Sequence, residues 1–111
     1  MRYQIICYVP DSHVEAVKQA MFSAGAGRFS GYSQCCWQSV GQGQFMPESD
    51  ASPFTGSVGK LEQVREIKLE LFCEGDYIAG VIAAIKQAHP YEVPAYAVFT
   101  HDQTHDKEYV S

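Results

Sequence analysis

No apolar run in the 111-residue sequence approaches the ~20 residues that a membrane-spanning helix needs. The start, Met1-Arg2-Tyr3-Gln4-Ile5, lacks the long apolar region and cleavage site of a secretory signal, so a cytoplasmic location and no membrane partner are expected. Basic residues are few: 8 Lys and Arg against 13 Asp and Glu, for a net charge of −5. They are scattered along the chain, and backbone phosphates need a concentrated positive patch, so nucleic acid is excluded as an expected partner. The four cysteines, Cys7, Cys35, Cys36 and Cys73, form no C-x-x-C pair, and the plain reading is four reduced thiols. Also missing are G-x-S-x-G, H-E-x-x-H and a phosphate-binding loop that leads from a strand into a helix.

What is present is a regular alternation of strand and helix patterns. Residues 3–9 carry β-branched and aromatic side chains on both faces, as in a central strand. Pro10 stops it, and Ser12 with Glu15 offers a capping box for a helix over 12–24, in which Val14, Val17, Met21 and Ala24 share one face. Gly25 fits the left-handed position that ends such a helix. Residues 32–40 read as a second strand with mixed faces, in which Cys35 and Cys36 point opposite ways. From Gly41 the composition turns to Gly, Ser, Pro and Gln, and 46–60 reads as a long loop of the kind that is functional or flexible.

Residues 61–73 alternate Ile67, Leu69, Leu71 and Cys73 with polar partners, the mark of a sheet with one wet face. Asp76 is placed to cap a second helix carrying Ile78, Val81, Ile82 and Ile85. That helix must end near His89, because the residue before Pro90 is driven out of the α region. A last strand follows over 94–100. The order strand, helix, strand, strand, helix, strand predicts an α+β ferredoxin-like βαββαβ sandwich. Its four-stranded antiparallel sheet would carry both helices on one face. Residues 1–100 would form the domain and 101–111 a polar tail. The bare sheet face, with Tyr8, Tyr32, Trp37, Phe72 and Tyr96 as candidates for exposed aromatics, predicts oligomerisation.

The stretch richest in chemistry is His89-Pro90-Tyr91-Glu92-Val93-Pro94, an imidazole, a phenol and a carboxylate between stiffening prolines. His89 and Glu92 have the types of a general acid/base pair, and Cys35 or Cys36 that of a nucleophile. The same stretch serves equally as a structural joint, with His89 at a helix end, Tyr91 and Pro94 packing, and Glu92 closing the turn. Arg28, among glycines, offers an anion a fork of donors. In the tail, His101 and His105 with Asp102 and Asp106 have metal-ligating types.

Several motifs in order are shared with a known family. Gly25-Ala26-Gly27-Arg28, Tyr32-Ser33, the run Gly41-x-Gly43-x-Phe45-x-Pro47, Gly56-x-x-Gly59-Lys60-x-Glu62 and His89-Pro90-Tyr91-Glu92-x-Pro94-Ala95-Tyr96 resemble the inserted domain of YqfO-type proteins, in the NGG-interacting-factor-like family. The final motif is also similar to CutA proteins, which with the PII signalling proteins share a ferredoxin-like fold and assemble as trimers. The resemblance implies a homotrimer with clefts between subunits and a loop at 46–60 beside them. It implies a non-catalytic binding or regulatory module that takes a small ligand or divalent metal, the cofactor itself being unspecified. Arg28, Tyr32, His89, Tyr91 and Glu92 are the candidate ligand contacts. The alternatives are a structural trimer that docks a partner through 46–60 and an enzyme using His89 and Glu92. The domain would stand alone here, without the flanking domains that hold a dinuclear metal site in YqfO proteins, so their hydrolase-type activity is not expected to transfer. Val93 stands where such inserts often carry glutamate.

Overall fold

A computed structural model describes residues 1–101. Four strands, β1 (Arg2–Pro10), β2 (Trp37–Phe45), β3 (Glu62–Glu74) and β4 (Ala95–His101), form one antiparallel sheet in the order β2-β3-β1-β4. Helices α1 (Val14–Ser23) and α2 (Ile78–Ala88) each follow a single 3-10 turn, Asp11–His13 and Gly75–Tyr77. This is the ferredoxin-like α+β sandwich expected from the pattern.

The period-2 alternation of β1 and β3 decides which sheet face is covered. Ile5 pairs with Leu71, Cys7 with Leu69 and Val9 with Ile67, and all six are buried. Val14, Val17 and Met21 of α1 and Val81 and Ile85 of α2 complete the same core. Each fully buried aliphatic side chain of this kind contributes roughly 1.5–3 kcal/mol. The opposite face carries Tyr8, Trp37, Phe72 and Phe99, all exposed, among the charged Lys68 and Glu70. Tyr96 does not belong there. It pairs with Cys7 and packs half-buried against the core.

Gly25 ends α1 as the sequence requires. Its φ is 114°, and the bonds Ala26 N–H to Met21 O (3.0 Å) and Gly25 N–H to Phe22 O (3.0 Å) form a Schellman motif. The helix starts differ from expectation. Neither helix has a side-chain cap: Ser12 Oγ meets His13 Nδ1 at 2.8 Å, Glu15 pairs with Lys18, and Asp76 lies in the 3-10 turn before α2. The tight turns supply the helix entry that caps were expected to supply.

The second strand begins at Trp37 rather than near Tyr32. Residues 29–32 instead form a two-residue turn, with Phe29 N–H to Tyr32 O at 2.9 Å and Tyr32 N–H to Phe29 O at 2.8 Å. Ser30 (φ 44°) and Gly31 (φ 86°) both have positive φ, the signature of a type I′ turn. Gly27 pins this excursion down, donating to Phe72 O at 2.9 Å and accepting from Cys35 N–H at 2.8 Å. Cys35 and Cys36 therefore precede the strand.

Candidate functional site

The turn after α2 is built by chain segments far apart in sequence. His89 leaves the helix with φ −74° and ψ 134°, the extended conformation demanded by Pro90. Its side chain is only 5% exposed. Nε2 lies 2.6 Å from Tyr8 O, and Nδ1 accepts from Tyr91 N–H at 3.2 Å. An Nδ1 that accepts a backbone N–H carries no proton, so Nε2–H donates to Tyr8 O and the ring is neutral. Burial lowers the His89 pKa from its ordinary value of 6.5, outweighing the opposite pull of the Tyr8 carbonyl and the Glu66 charge. Both nitrogens serve the turn, and His89 acts here as a joint.

Tyr91 and Glu92 face the other way, towards the loop 46–60. The Tyr91 hydroxyl donates to Glu66 Oε2 at 2.7 Å. Burial, then the hydrogen bond to Glu66 and its charge, raise the Tyr91 pKa, so the phenol stays a neutral donor. Glu92 Oε1 accepts from Ser52 N–H at 3.0 Å and ties the loop to the turn. Phe54 of the loop and Phe45 at the end of β2 both pack on Tyr91, with ring centroids 6.4 and 6.2 Å away. The result is a pocket of about 300 Å³ between loop and turn, walled by Phe45, Pro53, Phe54 and Tyr91, with the carboxylates of Glu66 and Glu92 on its rim. Gly43 leaves room for the Glu66 carboxylate in this position: a Cβ there would meet it and make it shift.

Arg28 and Tyr32 are elsewhere. They line a separate cleft of about 380 Å³ with Arg2 and Glu74. Arg2 Nε bonds Glu74 Oε1 at 3.3 Å, and its guanidinium lies 5.1 Å from the Phe29 ring centroid. On β1 and β3, Pro10 pairs with Glu66 and Arg2 with Glu74, so the two sites are roughly 26 Å apart along β3. Within one chain the five candidate residues thus fall into two groups.

Glu66, Phe45 and Phe54 line the first pocket, with Ser52 and Gly43 in contact with its carboxylates, and none of the five is among the site residues expected from the sequence. Glu66 reads in sequence like any carboxylate of a wet strand face; the one usable signal was Gly43 inside a strand, which marks a close approach. Three of the cysteines are held as thiols: burial pushes Cys7 up to about 12 and also raises Cys36 and Cys73. Among the described residues, no group of three or more His, Cys, Asp or Glu is placed to hold a metal ion. The metal candidate formed by His101, Asp102, His105 and Asp106 lies, apart from His101, outside the described residues. No helix among the described residues is long and apolar enough to cross a membrane.

No family model matches the chain. The protein named GTP cyclohydrolase 1 type 2 homolog in Mycobacterium leprae is 47% identical over 94 residues, which are 85% of this chain and 24% of that protein. Its Bacillus subtilis counterpart is 41% identical over 101 residues, 91% of this chain and 27% of that protein. The chain spans about a quarter of the length of the curated relatives it matches. Among solved structures, a Bacillus cereus protein related to NIF3 superposes with a TM-score of 0.79 at 35% identity, covering 92% of this chain and 26% of that one. The divalent cation tolerance protein CutA of Archaeoglobus fulgidus superposes with a TM-score of 0.69 over 99% of this chain and 92% of its own. At 18% identity, that likeness is one of fold. The chain is a homologue of one segment of the NIF3-related proteins, and its fold is the ferredoxin-like fold of CutA.

Proposed function

We propose that the protein is a non-catalytic, homotrimeric binding or regulatory module whose ligand site is the pocket between the loop 46–60 and the His89–Glu92 turn. The observation that carries this reading is the loop itself. Long connections are usually functional or disordered, and this one is folded back on the turn through Ser52 and Glu92 and through Phe54 and Tyr91 to wall a cavity. A concave, mostly apolar pocket with a few polar groups at its edge is the usual form of a small-molecule site. Tyr91 and Glu92 would contact the ligand, and His89 would hold the turn from behind. Arg28 and Tyr32 would serve a second cleft.

The trimer rests on the bare sheet face. Trp37 is 68% exposed, and Tyr8, Phe72 and Phe99 are exposed on the same face. An apolar patch of this kind favours association, and the CutA-like fold supports it. A cleft between subunits would bring the loop 46–60 beside a neighbour. Light scattering is expected to give the mass of three chains, and a stable monomer contradicts the assembly. A thermal-shift screen with amines, nucleotides, phosphate and divalent metals tests the site: no shift with any of them argues against a ligand.

The relatives' name refers to proteins about four times as long, and a cyclohydrolase activity is not part of this reading. Partner docking through the loop is favoured by the exposed Met46, Phe54 and Val58. Deleting residues 47–58 separates the two readings, because a docking loop would lose a bound protein while the trimer persists.

A further inference from the structure

The pocket between loop and turn is lined by three aromatic rings and two carboxylates, with no Lys or Arg among its lining residues. The Phe45 and Phe54 rings are tilted 54° and 47° against Tyr91, with centroid separations near 6 Å, and all three residues line the cavity as one aromatic wall. Aromatic faces carry negative potential and attract a cation that sits within about 6 Å of the ring centroid. Glu66 adds a formal charge at the edge of that wall. Tyr91 engages one of its oxygens, Oε2, and a carboxylate has about four lone-pair sites, so capacity remains to accept from a ligand. Glu92 adds a second negative charge at the rim.

Nothing here suits an anion. A phosphate or nucleotide in this pocket would face two carboxylates and no cationic donor, a like-charge arrangement that costs affinity. A neutral apolar ligand would use the rings but not the remaining acceptor sites of the two carboxylates. An organic ammonium ion matches both halves of the site: its alkyl substituents fit the ring faces and its charge the carboxylates. The volume of about 300 Å³ suits a molecule of few heavy atoms. The local design also points this way, since the close approach of the Glu66 carboxylate over Gly43 depends on that residue lacking a Cβ. We propose that this pocket selects a small organic cation of the ammonium class, held between the Phe45, Phe54 and Tyr91 rings and the Glu66 and Glu92 carboxylates. The inference rests on the ligand-binding reading above and names its ligand class.

Choline and its neutral carbon isostere, in which a tert-butyl group replaces the trimethylammonium, separate charge from shape. Each is titrated into the full chain and followed by the backbone amide resonances of Phe54 and Tyr91, with inorganic phosphate as a third probe. Choline is expected to bind at least about tenfold more tightly than the isostere. Glu66→Gln should weaken choline at least about fivefold and leave the isostere unchanged. Circular dichroism checks that the variant is folded, and Glu92→Gln takes its place if it is not. Equal or tighter binding of the isostere, or of phosphate, at these resonances overturns the cation inference and leaves the pocket as a ligand site. No response to any of the three probes overturns the cation inference and counts against the ligand reading with it.

Discussion

The Glu66 end of β3 and its Glu74 end carry the two groups of candidate residues, and they are built from different kinds of contact. At the Glu66 end the hydrogen bonds join distant segments: His89 to Tyr8, Tyr91 to Glu66, and Ser52 to Glu92. Five pieces of chain (β1, the end of β2, β3, the loop 46–60 and the turn after α2) converge there. At the Glu74 end, Arg28 precedes and Tyr32 closes a local two-residue turn whose two reciprocal bonds lie within 29–32, held to the sheet only at its base by Gly27 N–H to Phe72 O and by Arg2 over the Phe29 ring. Long-range contacts make the first end a joint whose parts depend on one another. The second end is a surface turn that tolerates change, with Tyr32 73% exposed. Residues of similar chemical promise in the sequence therefore differ sharply in what they support.

Substitutions should expose that difference. The largest effect is expected from His89→Ala, which removes both hydrogen bonds of a buried side chain and leaves a cavity, at a cost of about 3 kcal/mol in urea denaturation. A loss under about 0.5 kcal/mol, the level of an ordinary surface change, would remove the joint from the account. The neutral state of His89 also makes stability depend on pH. Its folded pKa lies below the unfolded value of 6.5, so the unfolded state binds more protons in the interval between them. Stability contributed by the neutral ring is full above pH 6.5 and is lost as pH falls through the folded pKa, with a slope of at most ~1.4 kcal/mol per pH unit. His89→Gln should flatten that part of the profile, and an unchanged slope assigns it to another group.

Smaller effects belong to the pocket wall. Gly43→Ala should displace the Glu66 carboxylate and break its bond to Tyr91, costing about 1 kcal/mol. Tyr91→Phe keeps the ring and loses the same bond, so the two changes combined should cost less than their sum in a double-mutant cycle. Full additivity would show that Gly43 does not act through Glu66. At the other end, Arg28→Ala should change stability by less than about 0.5 kcal/mol, and a larger loss would erase the contrast between the ends.

The sequence showed the fold well because the fold rests on periodicity. Ile67, Leu69, Leu71 and Cys73 at period 2 and Val14, Val17 and Met21 at helical spacing fix which faces meet. The stop at Gly25 and the break at His89 were equally legible, since glycine and proline act on the backbone locally. The start of β2 was not. Ser30-Gly31 is a turn signal, but the β-type residues after it, from Tyr32 to Trp37, spoke for a strand. The candidate site was half legible. His89, Tyr91 and Glu92 stood out by type and spacing, whereas Glu66, Ser52 and Phe54 reach them only through tertiary folding across 25 to 40 residues of chain. The split between Arg28 and Tyr32 on one side and His89, Tyr91 and Glu92 on the other is likewise a matter of sheet register.

The central claim is that the Glu66 end is the ligand end of the molecule. It is tested most directly by recording amide chemical shifts of the chain while a mixture of amines, nucleotides and inorganic phosphate is titrated in. The account predicts the largest shifts at residues 44–55, at Glu66 and at 91–95, with smaller ones at most over residues 28–33. Shifts confined to 28–33, or none at all, would contradict it.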